Sequence, residues 1–493
     1  MNLADERLKE LDNPLLTTDE RILLRCHVAA DFIHKGQYEA ARDALGGLWP
    51  GVGQRPEVNK LPPVTAAEVL LQCGTLTGWL GSVRSVEGSQ EGAKDLLSEA
   101  LRKFKSQGKP AKASETQYEL GICYWRLGSN DEARLIMREA LKPLTEADVE
   151  LKAKILIRRT LVEISENRYS DALNILKEAE SVFESASDAL KGRWHGQKGL
   201  ILRRLATAEG RADYADRAII EFTAAIYHYE QARHERYCAL NLNNLAMLLY
   251  KLGRYDEAHE HLDRAQLIFT KLKDPGNLAQ VDETRARVLV AESKYRDAER
   301  IIIDVIKTFE KGGEVALLAD ALTIQGVIWA RLGIVESSLT ILHRAMRIAQ
   351  DSGALVSAGH AALTMIEEHG ARSLQESELG QIYHRADQLL HGTQDAEDIA
   401  RLRTCARIVI KRLSGMRLHD KNFSLYGAVH ELEARLIEQA LEEAGGSVVR
   451  AARLLGLKHQ TFTSMLHSRH QKLVPKRTPR GKRLRSLIKE SKE

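Results

Sequence analysis

An all-α fold is what this sequence predicts, and three observations carry the prediction: a composition suited to helices, an alanine register recurring about every 40 residues, and a helical hairpin pattern near the C-terminal end. Ala, Leu, Glu and Arg are abundant, while Pro numbers 10 and aromatics make up 5%. Strands draw on Val, Ile, Thr and aromatic residues, so this balance favours helices over a sandwich or barrel. The 493 residues exceed one typical domain, which leaves several domains or one long repeat array. Hydrophobic residues at 44% and charged ones at 28% exclude a wholly disordered chain and a membrane-embedded one.

The start of the chain carries Asp5, Glu6, Arg7, Lys9 and Glu10 with no apolar segment behind them, so no secretory signal is expected. No window approaches the roughly 18 apolar residues of a membrane span. Cys26, Cys73, Cys123, Cys238 and Cys405 are scattered without a Cys-x-x-Cys pair, so neither a metal site nor a disulfide framework is expected. They read as small core residues of a cytoplasmic protein. Charge is uneven: residues 445–493 hold 13 Lys/Arg against 2 Asp/Glu, a local +11, which leaves −7 on the preceding 444 residues of a chain whose total is +4. Phosphates attract such an end and repel such a body, although a solvated basic tail gives the same asymmetry.

The most regular signal is an alanine in a Tyr-x-x-Ala setting, with a second, mostly small, residue seven positions later. The anchors are Ala41, Ala93, Ala133, Ala172, Ala218, Ala258, Ala298 and Ser338, and their partners are Leu48, Ala100, Ala140, Ala179, Ala225, Ala265, Val305 and Ala345. Twelve before the anchor stand Ala29, Gly121, Thr160, Ala246, Ala286 and Gly326. Small residues at these places allow two helices to approach within about 8–10 Å, so each unit is predicted to be a helix pair, for example Asn241 to Leu252 and Asp256 to Leu272 around Gly253. The remaining Leu and Ile positions bury a face against the next unit. Pro50 to Pro63 reads as a surface loop between the first two units.

The run from Leu242 to Ala258, with Asn243, Ala246, Gly253, Tyr255 and Ala258, resembles the tetratricopeptide family, as does the run from Leu120 to Ala133. The resemblance covers roughly residues 20–350, though units near 40 residues exceed the family's 34. It implies an array over 1–350 of about eight helix pairs, whose concave face holds a peptide or protein ligand, with Asn241, Asn243 and Asn244 as candidates to meet a peptide backbone. Solvated or turn-capping amides are the plainer reading of these asparagines. The equivalent positions Glu119, Arg158, Thr284 and Ile324 do not repeat the Asn. Residues 351–414 keep helical periodicity through Ala361, Met365, Leu379, Ile382, Leu402 and Val409, and are expected to form three helices capping the array. Residues 415–422 read as a linker.

Residues 423–474 carry the third observation. Leu425, Val429, Leu432, Leu436, Ala440 and Leu441 form one helical stripe from Leu425 to Ala444, ended by Gly445-Gly446. Ser447 is a natural N-cap for a short helix Val448 to Leu455, and Gly456 makes the turn into a second, from about Lys458 to Ser468. Ala452, Leu455, Leu457, Phe462 and Met465 stand where a helix-turn-helix places its inner contacts, although a generic helical hairpin can imitate the pattern. The run Leu436 to Leu457 resembles the Fis-type DNA-binding domain.

That resemblance implies a homodimer through the long helix and a last helix entering the major groove of double-stranded DNA, with Lys458, His459, Gln460, Thr461, Thr463, Ser464 and His467 on its start and outer face. Gln460 suits adenine and His459 guanine, whereas Lys458, Thr461 and Arg450 suit phosphates. The chain departs from the family in having few cations on that helix. Arg469, Lys472 and the basic tail 475–493, with Lys476, Arg477, Arg480, Lys482, Arg483 and Arg485, are the expected compensation along the phosphates.

No Gly-x-x-x-x-Gly-Lys-[Ser/Thr], His-Glu-x-x-His or Gly-x-Ser-x-Gly occurs, so no enzyme and no cofactor is expected. A phosphatase activity like that of some tetratricopeptide sensors is a minor alternative. The expectation is a bacterial transcription regulator whose array senses a peptide or protein. An adaptor whose C-terminal helices dock on protein is the alternative.

Overall fold

The computed structural model describes residues 15–34, 36–84, 86–393, 395–413 and 424–476, and among these it contains 23 α-helices and no strand. Two compact units divide the chain, Met1–Ala406 and Arg407–Glu493. The division falls ahead of the expected linker at 415–422, which lies outside the described residues.

The first unit is a solenoid of helix pairs. These are α1 (Thr18–His34) with α2 (Tyr38–Leu45), α3 (Pro63–Val83) with α4 (Ser89–Ser106), α5 (Pro110–Arg126) with α6 (Asn130–Leu141), and α7 (Val149–Ser165) with α8 (Tyr169–Glu178). A short α9 (Glu180–Glu184) precedes α10 (Asp188–Glu209) with α11 (Ala212–Gln231), α12 (Glu235–Lys251) with α13 (Tyr255–Lys271), α14 (Pro275–Ala291) with α15 (Tyr295–Gly312), and α16 (Val315–Arg331) with α17 (Val335–Asp351). Then come α18 (Leu355–His369), α19 (Glu376–Leu389) and α20 (Ala396–Leu413).

Each anchor, from Ala41 to Ser338, is completely buried, because it lies where the two helices of a pair touch. The positions twelve earlier face them: a Cβ on Gly121 would stand 2.5 Å from Met137, and one on Gly326 2.5 Å from Leu342. Such contacts leave no room for a larger residue. A further column stands eleven after the anchor, where Phe104, Phe183, Tyr229, Phe269 and Phe309 are all buried. The Tyr229 ring lies across Gly192 of its partner helix, where a Cβ would stand 3.0 Å away, and stacks on Tyr237 of the next pair at 5.4 Å.

The turn after α12 explains how a pair closes. Gly253 adopts φ 75°, and Arg254 N–H then bonds back to Leu249 C=O at 2.9 Å. At the equivalent place forty residues later Ser293 holds φ 63°, and Lys294 N–H reaches Leu289 C=O at 2.8 Å. The same left-handed closure is thus imposed on a residue that disfavours it.

Two expectations differ from the structure. Helix α12 begins at Glu235 rather than Asn241, since Cys238 and Ala239 are buried against the core and extend the pattern by a turn and a half. The segment Pro50 to Pro63 is more than a surface loop: Pro56 and Val58 are buried and hold it to the core. All five cysteines are buried, and burial pushes the thiol of Cys123 up to about 12 and that of Cys238 up to about 11.

Candidate nucleic-acid interface

In the second unit α21 (Leu425–Glu443) starts at Ser424, whose hydroxyl accepts from Gly427 N–H at 3.2 Å. The single stripe expected on it is in fact two. Ile437, Ala440 and Leu441 are buried in the domain's own core, whereas Tyr426, Val429, Leu432 and Leu436 are exposed. A stripe drifts around a straight helix, so the same spacing serves one neighbour near the C-terminal end of α21 and leaves the other end uncovered.

Gly445 and Gly446 stop α21 with φ 58° and 75°, and Gly446 N–H bonds to Leu441 C=O at 2.7 Å. Helix α22 (Val448–Leu454) follows. Ser447 holds its N-cap position, but its side chain makes no capping hydrogen bond, contrary to expectation. Gly456 turns the chain with φ 66°, which lets Leu457 N–H reach Ala452 C=O at 2.8 Å. Helix α23 (His459–Ser468) begins at once, with extended Lys458 as its N-cap residue. Ala451, Ala452, Phe462 and Leu466 are fully buried, and Leu455, Leu457 and Met465 pack around them. Two short helices are thereby fixed across a small-residue crossing.

The other face of α23 is outward. Lys458, His459, Gln460, Thr461, Ser464 and His467 are exposed, and so are Arg450 on α22, Arg469 and Lys472. Thr463 is half-buried, with its hydroxyl donating to His459 C=O at 2.8 Å. Arg469 lies 3.7 Å from Glu433. No carboxylate occurs in the sequence from Ala444 to Lys489, so α22, α23 and the turn after them contribute only cationic or neutral side chains, and Glu433 of α21 is the carboxylate that meets the end of α23. The amides at the start of α23 add a further positive end. Arg477, Arg480, Lys482, Arg483 and Arg485 lie outside the described residues, as does the side chain of Lys476.

One supporting residue escaped the sequence reading. His470 follows α23 directly and is buried, with Nε2 3.2 Å from Glu433 Oε2 and its ring 4.4 Å from that of His430. Together with Leu473 and Val474 of the 3₁₀ turn Gln471–Lys476, it fastens the end of α23 back to α21. No period in the sequence marks such a contact.

In the array Asn241 is buried, and its amide donates to Tyr237 C=O at 2.8 Å. Its Oδ1 fills the place a side chain at Gly196 would occupy, so it packs between helices. Asn243 and Asn244 are half-buried, and Oδ1 of Asn243 has no hydrogen-bond partner.

Residues 88–148 and 237–311 each match the family described as tetratricopeptide repeat, and residues 428–464 match the family described as bacterial regulatory protein, Fis family. The class is therefore an α-solenoid of repeats that carries a helix-turn-helix domain. More particularly, the repeats of this chain match the tetratricopeptide family and its C-terminal helix-turn-helix matches the Fis family. Both families are typically non-enzymatic.

No curated protein matches the sequence. Among solved structures it is similar to the apo form of RapI, at 15% identity and TM-score 0.51, covering 80% of this chain and 99% of that one. It is also similar to a signal-transduction ATPase with numerous domains and a tetratricopeptide repeat sensor from Pyrococcus horikoshii, at 12% identity and TM-score 0.51, over 82% of this chain and 57% of that one. A Rap protein complexed with competence and sporulation factor follows at 18% identity and TM-score 0.48, over 74% and 100%. These likenesses are of fold. Among the described residues no helix is long and apolar enough to cross a membrane.

Proposed function

We propose that the chain is a non-enzymatic, sequence-specific transcription regulator of bacterial cytoplasm, in which the C-terminal unit binds double-stranded DNA and the array receives a peptide or protein. The observation that carries the reading is the outward face of α23, polar and cationic, in a sequence stretch without carboxylates. Gln460 and His459 read base edges in the major groove, while Arg450, Lys458, Thr461, Arg469 and Lys472 hold phosphates. Ser464 and His467 line the groove one and two turns further on. The basic tail adds attraction independent of sequence. Val429, Leu432 and Leu436 on α21 are the homodimer surface, so half-sites stand about one helical turn apart. In the array, half-buried Asn243 and Asn244 are the residues that meet a peptide backbone in this reading, and the interior burial of Asn241 favours a structural part for it.

The test is binding of the full chain to duplex DNA containing its selected site at about 50 and 200 mM salt. Affinity should fall by on the order of 10³ for a contact set of this size. Gln460→Ala should cost about 1–3 kcal/mol at the cognate site and little at random DNA. Salt-independent or absent DNA binding would favour the adaptor reading instead.

A further inference from the structure

The first helices of successive pairs turn one side toward the interior of the solenoid, and there the array meets itself. His34 Nε2 on α1 lies 3.4 Å from Lys154 Nζ on α7, 120 positions later. Counted from the anchors, the inward positions fourteen earlier include Glu119, Arg158, Arg204 and Asn244, and those seven earlier include His34, Arg126 and Lys251.

In the later half of this interior the cations have partners. Arg204 Nη1 donates to Asp395 Oδ2 at 2.8 Å, and Lys251 Nζ donates to Glu397 Oε2. Both acceptors belong to the run Asp395-Ala396-Glu397-Asp398 at the start of α20, whose last carboxylate turns to His360 at 2.7 Å. Burial works against ionising Glu397, yet the Lys251 contact prevails and keeps its carboxyl below the ordinary range.

In the earlier half three arginines lie against rings instead, and Nη1 of one of them, Arg126, also donates to Gly78 C=O at 2.9 Å. The Arg126 guanidinium stands 4.0 Å from the Trp79 centroid, Arg158 5.5 Å from Trp125, and Arg193 5.6 Å from Tyr237. None of the three forms an ion pair with a carboxylate among the described residues, and the buried Nε of Arg158 has no acceptor. Glu68 and Glu115 nearby are engaged by Lys112 at 2.9 and 3.0 Å. Glu119 lies among the arginines, but burial pushes it up to about 7, so it offsets only part of their charge near neutrality. Burial and the neighbouring Arg158 together pull Arg126 below its usual value. A guanidinium stacked on a ring keeps its N–H edges available for a carboxylate.

We propose that this earlier half of the interior receives an acidic peptide segment of a partner, seated on Arg126, Arg158 and Arg193 as the chain's own Asp395–Asp398 run is seated on Arg204 and Lys251. The proposal rests on the reading of the array as a peptide or protein receptor and names the chemistry of what it receives. Arg126, Arg158 and Arg193 present half-buried guanidiniums without a carboxylate, and an incoming acidic segment supplies what α20 supplies further along.

The test uses the full chain and two fluorescein-labelled peptides, Asp-Ala-Glu-Asp in tandem and its amide counterpart Asn-Ala-Gln-Asn in tandem, read by anisotropy. The acidic peptide should bind, the amide peptide should bind at least tenfold more weakly, and R126Q/R158Q should weaken the acidic peptide at least tenfold. A benzophenone on the acidic peptide should cross-link the unaltered chain on α5 or α7, a readout that needs no variant. Cross-linking confined to residues 445–493, or no binding of the acidic peptide, overturns the proposal. Equal binding of both peptides in the interior also overturns it, but leaves the array as a peptide receptor.

Discussion

In the array, Gly121 and Gly326 let a second helix lie against a first, and in the C-terminal unit buried Ala452 does the same between α22 and α23. Both regions close their pairs with a left-handed residue, Gly253 in one and Gly456 in the other. They part in what they do with bulk and charge. The array spreads its rings along a column from Phe104 to Phe309 and turns part of its cationic charge inward, against carboxylates and aromatic faces. The C-terminal unit gathers its core around one ring, Phe462, and turns its cations outward. One local packing rule thus yields a distributed core with a charged interior when it repeats and a single-centred module with outward charge when it does not.

The largest expected effect lies in the cores. Phe462→Ala and Phe269→Ala each remove a fully buried ring and should cost about 3–5 kcal/mol. Hydrogen exchange should separate them: the first change deprotects α21 to α23 as a whole, while the second deprotects α12 to α15 and leaves distant pairs protected. Uniform deprotection of the array by Phe269→Ala would break the contrast between a distributed and a single-centred core.

A smaller effect sharpens the shared turn. Gly253→Ala forces a Cβ into φ 75° and should destabilise by about 1 kcal/mol, whereas Ser293→Gly should relieve a strain of similar size in the opposite direction. Denaturant midpoints measure both, and two shifts of the same sign would show that the turns are not equivalent.

The smallest effect is a slope. An unfolded glutamic acid ionises near its ordinary value of 4.5, whereas Glu119 does so at about 7, because burial disfavours its charge. Between those values the folded state holds the extra proton, so stability should fall as pH rises through that window and level off above it. Glu119→Gln should flatten that descent in urea titrations at pH 5 and pH 8. An unchanged slope would place the titration elsewhere.

Much of this was readable beforehand for a physical reason. The alanine anchors and the spacing around Gly456 concern residues within about a dozen positions of each other, where helix geometry and one short turn convert sequence distance into contact. The two-sided burial of α21 was not readable, because Leu436 and Ile437 are equally apolar and only the position of α22 and α23 chooses between them. The buried pairing of His470 with Glu433 joins residues 37 apart without any repeat to announce it.

The sequence alone determined the repeat, its register, the helical class and the composition of the surface around α23, since each is a matter of local spacing and residue type. Tertiary structure decided which cations meet carboxylates. Arg204 finds Asp395 191 positions away, while Arg126 and Arg158 lie against rings and meet no carboxylate among the described residues. Small rotations between successive pairs accumulate along a solenoid, so the partners of an inward side chain are fixed by the whole stack rather than by its neighbours in the chain.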